Sequence, residues 1–275
     1  MQTLHIYLDG VGLFGPGLCG WEQARKVLSG QEPFALAPTA IPPVDKLPAA
    51  ERRRVGIPVK LSMATGLQAA QHAALDPADL ATVFSSTEGD GDNTHAILET
   101  LASSDRALSP TRFHNSVHNA PSGYWGIATG CMLPSTSLTA YDATFGAGLL
   151  ETTTQACSNG KSCLLMAYDT VFPEPLHSLR PIAHAMGVAM VLSPTRTPAS
   201  MAQLSIAITQ EAPTPMAIPE LETLRRQIPV ARSLPLLSLL AQGQSGTVVL
   251  EYLQDMQLAI TVASASSPFT QGAQP

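Results

Sequence analysis

Several groups of residues are of a kind that does chemistry, and their spacing decides which. His114 and His118 lie four apart, a separation that would set two metal ligands on one helix face. Pro110, Asn115, Asn119 and Pro121 surround them and disfavour a helix, and no third ligand is evident, so a polar loop pair is expected. Gly10, Gly12 and Gly15 fit GxGxxG between a strand and a helix, where a dinucleotide pyrophosphate could sit. A second strand ending in an acidic residue should follow, and a proline-rich stretch stands there instead, so these glycines read as a tight structural turn. Gly160-Lys161-Ser162 resembles the end of a phosphate loop, but Gln155 occupies the position of the first glycine and the strand follows rather than precedes it. Arg52, Arg53 and Arg54 could pair with a phosphate or an anionic carrier, or form a solvated helix approach. Cys19, Cys131, Cys157 and Cys163 form no CxxC pair and read as buried reduced thiols. No GxSxG occurs, and Asp142-Ala143-Thr144-Phe145-Gly146 stands at the one strand-turn-helix that resembles a nucleophile elbow.

The elements that must position these residues alternate. Strands are expected over Leu4 to Leu8, Thr82 to Ser86, Ser137 to Tyr141, Ser162 to Tyr168, Ala185 to Leu192 and Ala202 to Gln210. Helices are expected from Trp21, over Lys60 to Leu75, Asn93 to Ser103, Ser122 to Gly130 and Thr144 to Ala156, with a proline-rich loop from Pro33 to Pro48 and a polar loop from Pro110 to Ala120. Past Pro213 prolines surround one short helix, Glu220 to Gln227. The chain then closes on a hairpin, Thr247 to Leu253 and Met256 to Val262, ahead of a frayed tail. Strand and helix in repeated alternation argue a layered α/β fold.

Composition narrows the function. Charged residues make up 13% of the 275 residues, against about 25% in an ordinary soluble domain. A surface so short of charge is small relative to its core, touches lipid, or is covered by another chain. Apolar runs such as Met186 to Leu192 and Pro235 to Leu240 fall well short of a membrane span. A net charge of −6 with four lysines argues against a nucleic-acid footprint. Met1 to Asp9 lacks a secretory pattern, so a cytoplasmic protein is expected.

The segment Ser109-Pro110-Thr111-Arg112-Phe113-His114-Asn115-Ser116-Val117-His118-Asn119 precedes a small-residue helix, a strand and the elbow. Ser178-Leu179-Arg180-Pro181 and Gly187-Val188-Ala189-Met190-Val191-Leu192 follow. In that order these pieces resemble the β-ketoacyl synthase branch of the thiolase superfamily, and within it the short chain-length-factor partners of aryl polyene biosynthesis. The resemblance implies a thiolase-like layered α/β/α fold with a complete first half, residues 1–212, and an abbreviated second half, 213–263, then a flexible tail, 264–275. It implies no cofactor and no metal.

The departures from the family decide the expected mechanism. Aligning Gly146 with the glycine three positions after the family's cysteine places Ala143 at the nucleophile, and a slip of one residue makes it Asp142; neither forms a thioester. The last histidine is His184, so the family's two second-half histidines are missing as well. The resemblance therefore implies a non-catalytic subunit that pairs with a catalytic ketosynthase, which takes its extender units from an acyl carrier protein. Ser135, Thr136, Ser137, Leu138, Thr139 and Ala140 are the candidate pairing strand. Phe113, Tyr141 and Phe145 are candidates to line a shared pocket or to pack in the core, and Arg52 to Arg54 are candidates to dock the carrier. Two rivals stay open: an independent acyltransferase or thioesterase using Asp142, His114 or His118, and a pure scaffold for a ketosynthase.

Overall fold

The first strand runs straight through the glycines. In the computed structural model, which describes residues 3–264, β1 spans Leu4–Gly15 and turns through β2, Leu18–Cys19, into α1, Trp21–Leu28. Gly10 and Gly12 are therefore strand residues, not a turn, and the reason is a close approach. A Cβ on Gly12 would stand 2.0 Å from the Thr65 carbonyl oxygen and one on Gly10 2.2 Å from that of Ala69, both on α3, Ile57–His72. Residues 33–48 form neither helix nor strand, and a single helical turn, α2, Ala49–Arg52, bridges them to α3.

The next elements are β3, Ala81–Ser85; α4, Gly91–Ala102; α5, Pro110–His114; α6, Ala120–Thr129; and β4, Ser135–Leu138. The expected polar loop thus contains a one-turn helix, which Ser109 caps through its side chain to the Arg112 amide. Then come α7, Thr144–Asn159; β5, Cys163–Asp169; α8, Leu176–Leu179; and β6, Met186–Ser193. The chain continues through β7, Ala202–Thr209; α9, Pro219–Gln227; and α10, Leu234–Ala241, then β8, Gly246–Leu253, and β9, Met256–Ser264. Sequence reading missed α10 as a helix because it is apolar on every side, so no periodicity shows; Leu234, Leu236, Leu237 and Leu240 are all buried. The expected tail lies, from residue 265 on, outside the described residues.

Among the described residues the strands form one sheet in the order β4, β3, β5, β6, β1, β7, β9, β8, with β2 on β1. Steps from β1 to β6 to β5 are antiparallel, and so are those from β7 to β9 to β8, with β1 and β7 antiparallel between them. Helix α7 leads into β5 as α10 leads into β8. The second set thus repeats the first without strands matching β3 and β4, and it begins at β7.

Side-chain alternation shows what covers the sheet. On β5, Cys163, Leu165 and Ala167 join the core under α1, α7, α9 and α10, whereas Leu164, Met166 and Tyr168 join a second core under α3 and α6. Strands β7, β8 and β9 supply the first core with Leu204, Val248, Leu250, Leu258 and Ile260, and among the described residues none of their side chains joins the second. Among the described residues β7, β8 and β9 therefore carry a helical layer on one face alone. Thr247 and Thr261 hydrogen-bond across its bare face at 2.8 Å.

Asp9 falls at the register shift between Leu8 and Gly10, buried, and its carboxylate accepts from Ser193 at 2.5 Å and Ser200 at 2.7 Å. Of the cysteines only Cys163 is buried, its thiol pushed up to about 12 by burial. Cys19 and Cys157 are exposed, against the expectation of interior thiols. Both lie at positions where the chain faces outward, the end of β2 and the outer side of α7.

Substituting Gly12 with Ala forces α3 away from β1. The expected loss is about 3 kcal/mol of unfolding free energy, the upper part of the usual overpacking range, read from urea denaturation.

Candidate functional site at the elbow beyond β4

The turn between β4 and α7 is built to hold a strained residue. Tyr141 has φ +55°, one of two non-glycine residues in the left-handed region among those described, a conformation that costs an L-residue about 1–2 kcal/mol. Thr144 supplies the local counterweight: its hydroxyl donates to the Tyr141 carbonyl and accepts from the Ala140 amide at 3.3 Å. Ser85 donates to the Thr144 carbonyl at 2.6 Å, tying the first turn of α7 to β3.

A chain of ion pairs then fixes the turn from outside. The Asp142 carboxylate accepts from Arg180 through one oxygen and from Arg232 through the other at 3.1 Å, and Arg232 also donates to the Asp142 carbonyl at 3.0 Å. Arg232 continues to Glu251 at 3.0 Å, which Arg225 reaches at 3.2 Å, and Arg225 closes on Glu222 with two contacts of 2.7 Å. Those hydrogen bonds from Arg225 hold the Glu222 carboxyl down at about 2. Arg180 donates to the Thr87 hydroxyl at 2.8 Å and lies 3.5 Å from the centroid of the Tyr141 ring, a cation–π stack. The network thus joins the loop after β3, the elbow, the segment before β6 and the helices of the second half.

Beneath it lies a buried acid. Asp169, at the end of β5, accepts from the Thr87 amide at 3.0 Å and the Val230 amide at 2.7 Å. Burial pushes its carboxyl up to about 6, against the pull of those two donors. Glu88 and Asp90 are also raised, chiefly by desolvation. Sequence reading found neither Asp169 nor Arg225 and Arg232, since a lone acid ending an apolar strand and scattered arginines carry no motif.

The sequence-picked residues separate on folding. Tyr141, not Asp142 or Ala143, holds the strained tip; Ala143 is buried and Asp142 is committed to two arginines. Gly146 stands where packing leaves no room for a side chain, its Cβ position lying 2.9 Å from Tyr252 and 3.1 Å from Leu258. Phe145 is buried in the first core, while Tyr141 is 65% and Phe113 67% exposed. Phe113, Val117 and Ile127 line an apolar groove between α5 and α6. His114 packs edge-on against Tyr124, and His118 Nε2 is buried without a hydrogen bond. Among the described residues neither histidine pairs with Asp142, so no acid–base couple forms. Arg52 pairs with Asp45 at 2.7 Å and Arg54 with Glu51 at 3.3 Å, which leaves Arg53 as the member of the triplet without an ion pair among the described residues.

Strand β4 is the sheet's end, paired in parallel with β3 alone. The Pro134 and Leu138 carbonyls accept from Thr82 and Ser86 on the inner side, and alternation along a strand turns the backbone groups of Ser135 and Ser137 to the open side. Exposed Met132, Leu133, Tyr141, Phe113 and Ile127 come from β4's two flanks and the neighbouring α5 and α6. Among the described residues no group of acidic, histidine and cysteine side chains is arranged to hold a metal ion, and no helix is long and apolar enough to cross a membrane.

Comparison with known proteins places this geometry. Residues 21–249 match the family described as Beta-ketoacyl synthase, N-terminal domain. No curated protein matches. Among solved structures, the fold is similar to a chain of the ketosynthase ApeO in complex with its chain length factor ApeC from Xenorhabdus doucetiae, at TM-score 0.72 and 22% identity over 94% of this chain and 99% of that one. It is similar to a chain of the ishigamide ketosynthase/chain length factor, at 0.69 and 13% over 94% and 98%. A third likeness is to a chain of AntDE:AntF, a type II PKS acyl-carrier protein in complex with its ketosynthase, at 0.70 and 11% over 96% and 100%. At these identities the likeness is one of fold, and the fold is thiolase-like.

Two outcomes follow from the buried charges. Asp142→Ala strands Arg180 and Arg232, each 19% exposed, and is expected to cost about 2 kcal/mol in urea melts, less than a fully buried pair because Asp142 is itself 38% exposed. Asp169 binds its proton more tightly folded than unfolded. Its contribution to stability is therefore full below about pH 4 and lost as pH rises through about 6, a span worth roughly 3 kcal/mol. Glu88 and Asp90 act in the same direction, so Asp169→Asn should flatten, not abolish, the fall in stability between pH 4 and 7.

Proposed function

The chain belongs to the β-ketoacyl synthase family, and from that premise we propose that it is a chain-length-factor-like subunit, without catalysis of its own, which pairs through β4 with a catalytic ketosynthase. The observation that carries this reading is an elbow with the family's shape and none of its chemistry. Its strained tip holds Tyr141, whose phenol forms no thioester and whose ring has the Arg180 guanidinium, not a base, against it. The acid beside it is saturated by two arginines, and no histidine follows His184. On this reading Tyr141, rather than Ala143 or Asp142, stands at the vacated nucleophile position.

Pairing is supported by the open side of β4, where the backbone groups of Ser135 and Ser137 need partners, and by the apolar side chains that flank it. The sparse charge of the whole sequence fits a wide contact. The partner would supply cysteine and histidines and take its extender units from an acyl carrier protein, with Arg53 the member of the basic triplet free to meet the carrier. The finer assignment, an aryl polyene product, rests on the sequence resemblance. An independent acyltransferase or thioesterase is disfavoured by the separation of Asp142 from His114 and His118.

Co-expression with a neighbouring full-length ketosynthase tests this directly. Size-exclusion chromatography should give a one-to-one complex, and the isolated chain should neither condense nor hydrolyse a mass-tagged acyl donor; turnover by the isolated chain would end the proposal. Ser137→Pro removes an outward amide and no ladder bond of this chain. It should leave the far-ultraviolet circular dichroism unchanged while weakening the complex at least tenfold.

A further inference from the structure

Four cations meet beside one serine. The residues ahead of α3 supply Arg53 and Arg54, α3 itself Lys60, and α5 Arg112, and with Ser109 they line a cleft of about 450 Å³. Two buried asparagines fix the backbones that carry the arginines: Asn115 donates to the Arg54 carbonyl at 2.8 Å, and Asn93 to the Arg112 carbonyl at 2.8 Å. Arg54 has Glu51 at 3.3 Å, whereas Arg53, Lys60 and Arg112 have no ion pair among the described residues. The acids on the lining are Asp90 and Asp92, and Asp90 already accepts from the Asn93 amide at 3.0 Å. Cations therefore outnumber acids on the lining by two, in a concave place that concentrates their field. Ser109 stands where that excess can be met. It is exposed, and the hydrogen bond it accepts from the Arg112 amide is 3.5 Å long, so its hydroxyl has little to give up. The chain ahead of it, residues 103–108, forms neither helix nor strand, lies almost wholly exposed, and carries Arg106 three residues before the serine.

We propose that Ser109 is a phosphorylation site whose phosphate is received by Arg53, Lys60 and Arg112. The inference goes beyond the pairing reading above and does not depend on it. In the step, the Ser109 oxygen forms a bond to the γ-phosphorus of ATP and the bond from that phosphorus to the β,γ-bridging oxygen breaks. ADP leaves, and the hydroxyl proton passes to a carboxylate base of the kinase. The product carries a charge of about −1.5 to −2 at neutral pH, which matches the excess of the lining. Guanidinium groups meet its oxygens in a fork, and the Lys60 ammonium meets them as a point charge. Held in this way, the phosphate ties α5 to the start of α3 and closes the cleft. It also takes Arg53 out of reach of any other anion.

The test uses the full chain with phosphoserine installed at 109 during translation. It is compared with the parent chain and with phosphoserine at 104, an exposed position off the cleft. The phosphate at 109 should raise the melting temperature by about 3 °C at low ionic strength, and the gain should fade in about 1 M salt. It should slow trypsin cleavage after Arg53 about tenfold, and in ³¹P NMR its second ionisation should fall below that of the phosphate at 104. Arg53→Ala and Lys60→Ala should each remove part of the melting gain while leaving the unphosphorylated chain as stable as before. A phosphate at 109 that melts and titrates like the one at 104 would overturn the inference. So would a chain that no longer folds with phosphoserine at 109, or a gain that survives the loss of Arg53, Lys60 and Arg112 together. The acceptor is tested on its own: a serine kinase that reads an arginine three residues ahead, given ATP, should add one phosphate to the parent chain and none to Ser109→Ala. Equal labelling of the two, or none of either, would count against Ser109.

Discussion

One carboxylate between two guanidinium groups holds this molecule's working end together. Asp142 draws Arg180 from the segment ahead of β6 and Arg232 from the second half onto the turn that follows β4. Each arginine has a further acceptor, Thr87 or Glu251, so neither is left with an uncompensated charge when partly buried. Without this knot the left-handed tyrosine would have only Thr144 to hold it. The turn that follows β4 is thus filled by a structural ion network.

The same knot explains how a shortened second half still matters. β7, β9 and β8 extend the sheet, but α9 and the 229–233 turn carry Arg225 and Arg232, which run from Glu222 through Glu251 to Asp142, and the Val230 amide, which reaches Asp169. The part of the chain past β7 that touches the turn after β4 is thus a short one, Arg232 and the pairs behind it.

Legibility in the sequence followed physical range. Strands with buried alternation and helices with a polar face were readable, and so were the final hairpin and the proline-rich loop. Gly10 and Gly12 misread as a turn because their smallness answers to α3, forty to sixty residues away, a distance at which local pattern is silent. Helix α10 hid in uniform apolarity. At the elbow the strand, turn and helix were readable but the reason for one glycine was not: Gly146 is small to admit Tyr252 and Leu258 from β8 and β9, and nothing local reveals that. Arg180 was visible only as part of a resembling tetrapeptide, and Asp169 not at all, because a shared ion network is a property of the assembled chain.

The bare face of β7, β9 and β8 has a mechanical consequence. Amides in β5 and β6 lie beneath helices on both sides, whereas those of β8 meet water after a single layer. Breathing motions therefore begin at the β8 end and die out toward β5.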